Sequence, residues 1–147
     1  MQRKRIETRW SDVDTYDHVN NEVYLTYLEE VRDAWYERTV AQVEGAGDFV
    51  LVRVAIDYRR ELTLGDPAII ATCWPIRIGT SSVTTREEIW SESGDFLAAE
   101  AESVMVAHDA VARTSRPLTA GERAAIEAEI ALADSGSDTG SAATVSD

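Results

Sequence analysis

One segment of this sequence has the apolar spacing of a long amphipathic helix, and that segment most limits the folds available to the chain. Four large apolar residues recur at intervals of four, three and four positions: Tyr24, Leu28, Val31 and Trp35. This spacing places them on one face of a helix. Asn20 or Asn21 can cap the first turn of that helix, and the glycines around residues 45–47 are expected to end it. A single helix of this kind needs a broad apolar surface to cover its face.

Five strand-like segments can provide that surface. They cover residues 3–11, 50–58, 68–78, 80–92 and 96–108, and several alternate apolar and polar side chains with period two. Short turns with Gly, Ser or Asp separate the last four, which predicts an antiparallel meander. A further stretch, residues 122–132, is rich in Ala, Glu and Ile and predicts a short helix.

The order of these elements predicts an α+β fold, in which a five-stranded antiparallel sheet lies against one long central helix and a short helix follows. We assign residues 1–133 to this domain and residues 134–147 to a disordered tail, because the tail has almost no bulky apolar side chain. A sheet of this kind leaves an exposed edge strand. Pairing of that edge between copies predicts a homodimer or homotetramer.

Composition narrows the possible partners and location. The 147 residues carry a formal net charge of −13, which repels a phosphate backbone, so nucleic-acid binding is not expected. Cys73 is the one cysteine in the chain, which fits a reducing compartment. The basic start of the chain is followed by more charge, and no apolar stretch is long enough to span a bilayer. The sequence therefore predicts a cytoplasmic protein without a membrane partner.

The loop before the long helix concentrates groups that can carry chemistry. Asp12, Asp14, Asp17 and His18 lie within seven positions, directly before the helix start. A carboxylate near a helix N-terminus can attack a thioester or activate a water, while free amides of the first turn bind the developing oxyanion. Asp14 is a better candidate than Asp12 or Asp17, because it is far enough from the helix start to face these amides across a turn. The same residues are also compatible with a solvated acidic loop that only caps the helix.

Metal binding by this loop is not expected. If Asp12 is taken as the first position of a calcium loop, the required Gly is Asp17 and the required bidentate Glu is Val23. The two histidines, His18 and His108, form no ligand pair at helical spacing. We therefore predict no metal site and no cofactor.

The run from Asp12 to Glu30 resembles the loop and helix of hotdog-fold thioesterases. Its residues read DxD-x-x-x-HVNN followed by Y-x-x-Y-x-E, which is similar to acyl-CoA and plant acyl-ACP thioesterases and to the 4-hydroxybenzoyl-CoA thioesterase class. The resemblance implies a hotdog fold and hydrolysis of a fatty or aromatic acyl-CoA. It also implies that Asp14 is nucleophile or general base, that His18 is catalytic, and that the Asn21 amide polarises the thioester carbonyl.

Some features of the sequence qualify this resemblance. Tyr16 stands where the acyl-ACP enzymes have an Asn, which favours a mechanism with Asp14 and the helix start alone. Hotdog hydratases are less well matched, because they place the His five positions after the Asp, whereas His18 comes four after Asp14. A non-catalytic module that binds acyl-CoA is the other alternative.

Coenzyme A carries phosphates, so an acidic enzyme needs local cations at the mouth of its cleft. Four arginines are candidates for this contact: Arg59, Arg60, Arg86 and Arg116. Each of them is also compatible with an ordinary charge on a strand edge that deters association.

Overall fold

The computed structural model describes residues 1–13 and 18–144, without the side chains of Trp10 and of residues 136–144. It has two α-helices and one antiparallel sheet. The helices are α1, Asn21–Thr39, and α2, Ala120–Thr144, and a single 3-10 turn covers Trp10–Asp12. The strands are β1, Gln2–Glu7, β2, Asp48–Tyr58, β3, Ala68–Ile78, β4, Ser82–Ser91, β5, Leu97–Asp109, and β6, Thr114–Ser115.

The sheet differs from the prediction in its strand count and its order. It has six strands, in the order β1-β3-β4-β5-β2, and β6 pairs with β5. The predicted five strands omitted β6, because two residues leave no periodic signal. The predicted meander of the last four strands is wrong, since β2 pairs with β5 at the far edge. The chain after β2 crosses past the start of α1, where Leu62 is fully buried.

Helix α1 begins at the predicted residue and ends earlier than predicted. Asn20 is its N-cap, and its side-chain oxygen accepts from the amide of Glu22. The helix ends at Thr39, whereas the glycines near residue 45 were expected to end it; the Thr39 hydroxyl donates to the carbonyl of Trp35. The apolar face of α1 packs on β1, β3 and β4. All four residues of its periodic pattern are at most 3% exposed.

Helix α2 starts close to the predicted position and continues beyond it. The sequence pattern placed this helix at residues 122–132, and the structure extends it to Thr144. Thr119 and Glu122 form a reciprocal capping pair at its start, and Ile126 joins the main core. The assignment of residues 134–147 to a tail stays a prediction. In the described part of the chain, neither helix is both long and apolar enough to cross a membrane.

The register of the sheet separates an inner face, on which α1 lies, from an outer face. Ala101 of β5 is opposite Ile56 of β2 and Glu87 of β4, and these three side chains point inward. Arg86 is one residue from Glu87 and therefore points outward. Strand β2 forms one edge of the sheet, and it carries the partly exposed apolar side chains of Val50, Leu51 and Val52.

Candidate active site

A cleft of about 510 Å³ opens at the N-terminus of α1. The end of β2 and the segment after it form its second wall. The residues that line it are His18, Val19, Asn20, Asn21, Tyr24, Tyr58, Arg59, Arg60 and Glu61. The structure thus brings together four of the seven residues that the sequence predicted for the site, namely His18, Asn21, Arg59 and Arg60.

Two tyrosines hold the walls of this cleft together. The Tyr58 hydroxyl donates to the carbonyl of Asn21 at 3.2 Å, which ties the end of β2 to the first residue of α1. The Tyr24 hydroxyl accepts from the amide of Leu62 at 3.1 Å. The two rings meet edge to face, with centroids 5.1 Å apart. Burial raises the pKa of Tyr24 above its ordinary value, so its hydroxyl stays protonated.

The helix start presents backbone donors to the cleft. The Asn20 cap uses the amides of Glu22 and Val23, which donate to its side-chain and backbone oxygens at 3.3 Å and 2.9 Å. The amide of Asn21 occupies the first helical position, where no carbonyl four residues earlier belongs to the helix. The positive end of the helix dipole adds to the effect of this donor. This geometry suits the carbonyl oxygen of a bound thioester.

His18 contacts a carboxylate that sequence reasoning missed. Its Nε2 lies 3.2 Å from Oε2 of Glu61, and the His18 backbone pairs with that of Thr63. The imidazole is 40% exposed and the carboxylate 70%, so both are open to the cleft. Glu61 directly follows Arg59 and Arg60, which the sequence predicted as phosphate ligands. This position was the one feature of the sequence that could have identified Glu61 as a site residue.

The acidic loop before α1 is closed at its base. Val13 pairs with Val19, and the amide of Asn20 donates to the carbonyl of Asp12 at 2.8 Å. The Asp12 side chain is 8% exposed. It accepts from the Tyr27 hydroxyl at 3.1 Å and from the Arg9 amide at 2.9 Å. Asp12 therefore has a structural role. Asp14, Tyr16 and Asp17 lie outside the described residues.

Burial and Asp12 both stabilise the protonated form of Tyr27. Loss of solvent is the larger cause and the nearby Asp12 charge the second, and together they raise the pKa of Tyr27 far above its ordinary value. The neutral hydroxyl can therefore donate to Asp12 throughout the physiological range. This hydrogen bond attaches the loop to the second turn of α1.

The predicted phosphate ligands separate into two groups. Arg59 pairs with Glu100 at 3.0 Å and lies 3.7 Å from Asp57. The Arg60 guanidinium stacks over the Phe96 ring, 4.1 Å from its centroid. In the part of the chain that the structure describes, no carboxylate lies within ion-pair distance of Arg60. Both arginines are at the cleft, and Arg60 has the less compensated charge.

Arg86 and Arg116 lie away from the cleft. Arg86 is on the outer face of the sheet, where it pairs with Glu100 at 3.3 Å. Arg116 binds Glu122 through both guanidinium Nη atoms, at 2.8 Å and 2.9 Å. It sits near Asp48, at the end of β2 opposite Tyr58, which is roughly 33 Å along an eleven-residue strand. Arg86 and Arg116 therefore do not line this cleft, and a contact of either with coenzyme A stays a prediction.

Comparison with known proteins assigns the chain to a family. A sequence profile of the thioesterase-like superfamily matches residues 8–133. The chain therefore belongs to the thioesterase-like superfamily. The resemblance to hotdog thioesterases that the loop and helix predicted is confirmed at this level.

Individual relatives agree with this assignment. FadM, a long-chain acyl-CoA thioesterase of Escherichia coli (strain K12), is 36% identical over an alignment of 69 residues, and the match covers 42% of this chain and 49% of FadM. The match thus spans about half the length of that curated relative. A thioesterase from Thermus thermophilus, crystallised with coenzyme A and zinc, is 30% identical with a TM-score of 0.76, over 88% of this chain and 95% of its own. YbaW from Escherichia coli is 26% identical with a TM-score of 0.76, over 88% and 99%.

Proposed function

We propose that this protein is an acyl-CoA thioesterase, which hydrolyses an acyl-CoA to the free acid and coenzyme A. The observation that carries the proposal is the cleft at the start of α1, where a helix N-terminus, His18 and two arginines meet in a member of the thioesterase-like superfamily. This combination offers a donor for a carbonyl oxygen, a proton carrier and cations for phosphates. Together with a nucleophile or general base, these are the groups that hydrolysis of a CoA thioester requires.

In this mechanism the carbonyl oxygen of the thioester accepts a hydrogen bond from the Asn21 amide. Asp14 acts as nucleophile or as general base, and the supporting observation is that its neighbour Val13 pairs with Val19 of the cleft. Attack on the carbonyl carbon breaks its π bond, and the oxygen takes the electron pair. When the carbonyl re-forms, the C–S bond breaks and the sulfur leaves as the thiolate of coenzyme A.

His18 is suited to supply the proton that the leaving thiolate takes up. Its imidazole lines the cleft, and Glu61 holds the Nε2 side of the ring. If Asp14 is the nucleophile, water then cleaves the acyl–aspartyl anhydride; if it is the base, water attacks directly. Both routes consume one water and give one acid and one thiol.

The phosphates of coenzyme A are assigned to Arg59 and Arg60. They follow β2 directly, and their amides both donate to the carbonyl of Ala98, at 2.8 Å and 3.1 Å. This anchoring limits the conformational freedom of the segment and so lowers the entropic cost of binding a phosphate. Arg116, near Asp48 at the other end of β2, is not placed to contact the same ligand.

The assembly that we propose is a hotdog dimer, in which the sheet of each copy wraps its own α1 and the β2 edges pair between copies. Strand β2 has eleven residues and forms an edge of the sheet within the described residues, and Val52 in its middle is 57% exposed. Such an edge promotes association unless it is covered. A tetramer of two such dimers, a cytoplasmic location and a role in lipid metabolism stay predictions.

A thiol-release assay over short, long and aromatic acyl-CoAs tests the proposed activity. We expect turnover with at least one of them, and we expect Asp14→Asn to abolish it while coenzyme A still binds. Asp95→Asn, in the exposed turn between β4 and β5, is the matched control and should keep full activity.

Two outcomes would contradict the proposal. Binding of acyl-CoA without release of thiol would identify a non-catalytic binding module, and addition of water to an enoyl-CoA would identify a hydratase. Unchanged turnover in Asp14→Asn would leave the thioesterase activity intact and reject the mechanism.

A further inference from the structure

Helix α1 packs on β1, β3 and β4 and leaves the inner face of β2 only partly covered, so a groove between α1 and β2 begins at the candidate cleft. On its helix side, Leu25, Arg32 and Tyr36 share one side of α1, because seven and four residues bring the helix back to nearly the same angle. On its sheet side, Tyr58, Ile56 and Val54 point inward along β2. Leu25 is 44% exposed and Tyr58 45%, so the start of the groove is apolar and open.

A buried ion pair lies further along this groove. Arg32 Nη1 is 2.9 Å from Oε1 of Glu87 and 3.2 Å from Oγ of Ser103. Ser103 is the direct cross-strand neighbour of Val54, so the guanidinium reaches the sheet at the level of Val54. The side chains of Arg32 and Glu87 are 6% and 0% exposed.

The same arginine also lines a second space. Together with Tyr36, Phe49 and Met105, Arg32 borders a cleft of about 320 Å³ toward the opposite end of β2. Its position therefore lies between two spaces on the inner face, the candidate active site at the start of α1 and this far cleft. The ion pair separates them.

Packing alone does not explain a charged pair at this position. Two buried charges lose more hydration than an apolar pair of the same volume, and apolar replacements are often neutral or stabilising. Oε2 of Glu87 is buried, and no group in the described ranges hydrogen-bonds to it. Burial, the larger effect, raises the pKa of Glu87, and the Arg32 hydrogen bond opposes this rise.

We propose that Arg32, held by Glu87 and Ser103, determines acyl-chain specificity by closing the groove in which the acyl group lies. This inference rests on the proposed thioesterase function. An acyl chain that starts at Asn21 and follows Leu25, Ile56 and Val54 meets a charged wall at Arg32. The wall lies about 16 Å from Asn21 along the helix axis and about 13 Å from Tyr58 along β2. A longer alkyl chain would have to displace Arg32 from its contacts with Glu87 and Ser103 or leave the groove.

The double variant Arg32→Met with Glu87→Gln tests this inference, because it removes both charges and leaves no unpaired one. Wild-type kcat/KM should fall between hexanoyl-CoA and palmitoyl-CoA. The variant should raise the palmitoyl-to-hexanoyl ratio of kcat/KM about tenfold or more. The matched control is Arg38→Met with Glu129→Gln, which removes an ion pair between α1 and α2 (3.0 Å) and should leave the ratio unchanged. A ratio that stays within twofold of wild type in a folded double variant overturns the inference.

A second variant keeps the test decisive if the double variant does not fold. Leu25→Trp changes an exposed residue and narrows the groove, so it should lower kcat/KM for hexanoyl-CoA while acetyl-CoA turnover is retained. Leu132→Trp, on the exposed side of α2, is its control.

A uniform loss of kcat/KM over all chain lengths, or a change of oligomeric state with Leu25→Trp, would instead assign the groove to a second copy of the chain. Absence of turnover with every acyl-CoA would reject the thioesterase function itself, which is a different result.

Discussion

His18 Nε2 lies 3.2 Å from Glu61 Oε2, although the two residues come from segments on opposite sides of α1 in the sequence. Backbone contacts hold these segments together: His18 pairs with Thr63, and the Val19 amide donates to the carbonyl of Leu62 at 2.8 Å. The imidazole therefore has a defined orientation before substrate binds. Glu61 is a positioning residue in this arrangement.

Replacing Glu61 by Gln should lower kcat about threefold and change KM little, because an ion pair between exposed side chains contributes about 0.2–1 kcal/mol. The pH profile of kcat should shift, which a purely structural loss would not cause. Glu61→Asp should restore part of the activity. Steady-state kinetics between pH 5 and 9 measure these effects. Glu44→Gln, an exposed change beyond α1, is the control. Identical profiles for Glu61→Gln and wild type would exclude this role.

Arg60→Gln should raise KM for an acyl-CoA about tenfold with nearly unchanged kcat, since it removes a cation that binds phosphate in the ground and transition states alike. The effect should shrink as salt is added, because salt screens an exposed charge. Arg53→Gln, an exposed arginine on the outer face of β2, is the control. Equal KM values for Arg60→Gln and Arg53→Gln would place the phosphates elsewhere.

Glu122 should make the fold sensitive to acid. Burial raises its pKa, but the hydrogen bonds from Arg116 and from the amides of Thr119 and Gly47 outweigh this and lower the pKa to about 2, from an ordinary 4.5. A lowered pKa stabilises the fold above pH 4.5, and this contribution, about 3 kcal/mol, is lost as the pH falls toward 2.

Urea unfolding at several pH values between 2 and 6 measures this loss. Glu122→Gln should reduce the free energy of unfolding at pH 6 and flatten its decline in acid. Glu127→Gln, on the same helix and 55% exposed at the wild-type side chain, should behave as wild type. A decline of equal steepness in both variants would assign the acid sensitivity to other groups.

The proposed pairing of β2 edges predicts that Val52→Lys shifts the protein toward a monomer. Val52 lies in the irregularity between Leu51 and Arg53, and a charge there would be desolvated in a paired edge. Sedimentation analysis over a range of concentrations measures the shift. Val111→Lys, at a residue that is 95% exposed in a turn, is the control. A wild-type chain that is monomeric at all concentrations would contradict the dimer.

Some features of the site could be predicted from local sequence patterns, and others could not. The helix start at Asn21 was predictable because capping and apolar spacing act within a few residues. The contact of His18 with Glu61 was not, since it depends on how the chain after β2 crosses the helix. Arg59 and Arg86 look alike in the sequence. Only the structure shows that Arg59 lines the cleft and Arg86 does not, although both guanidinium groups pair with Glu100.

The long helix, most of the strands and the family could be predicted from the amino-acid order, because hydrogen bonding, side-chain periodicity and the motif around Asp14 and His18 are properties of short segments. The position of β2 beside β5, the contact of Glu61 with His18 and the buried pair of Arg32 and Glu87 became visible only in the folded chain. These are contacts between residues distant in the sequence. They form because one arrangement of the sheet around α1 buries the most apolar surface. The conformational preferences of short segments do not determine which side chains that arrangement brings together.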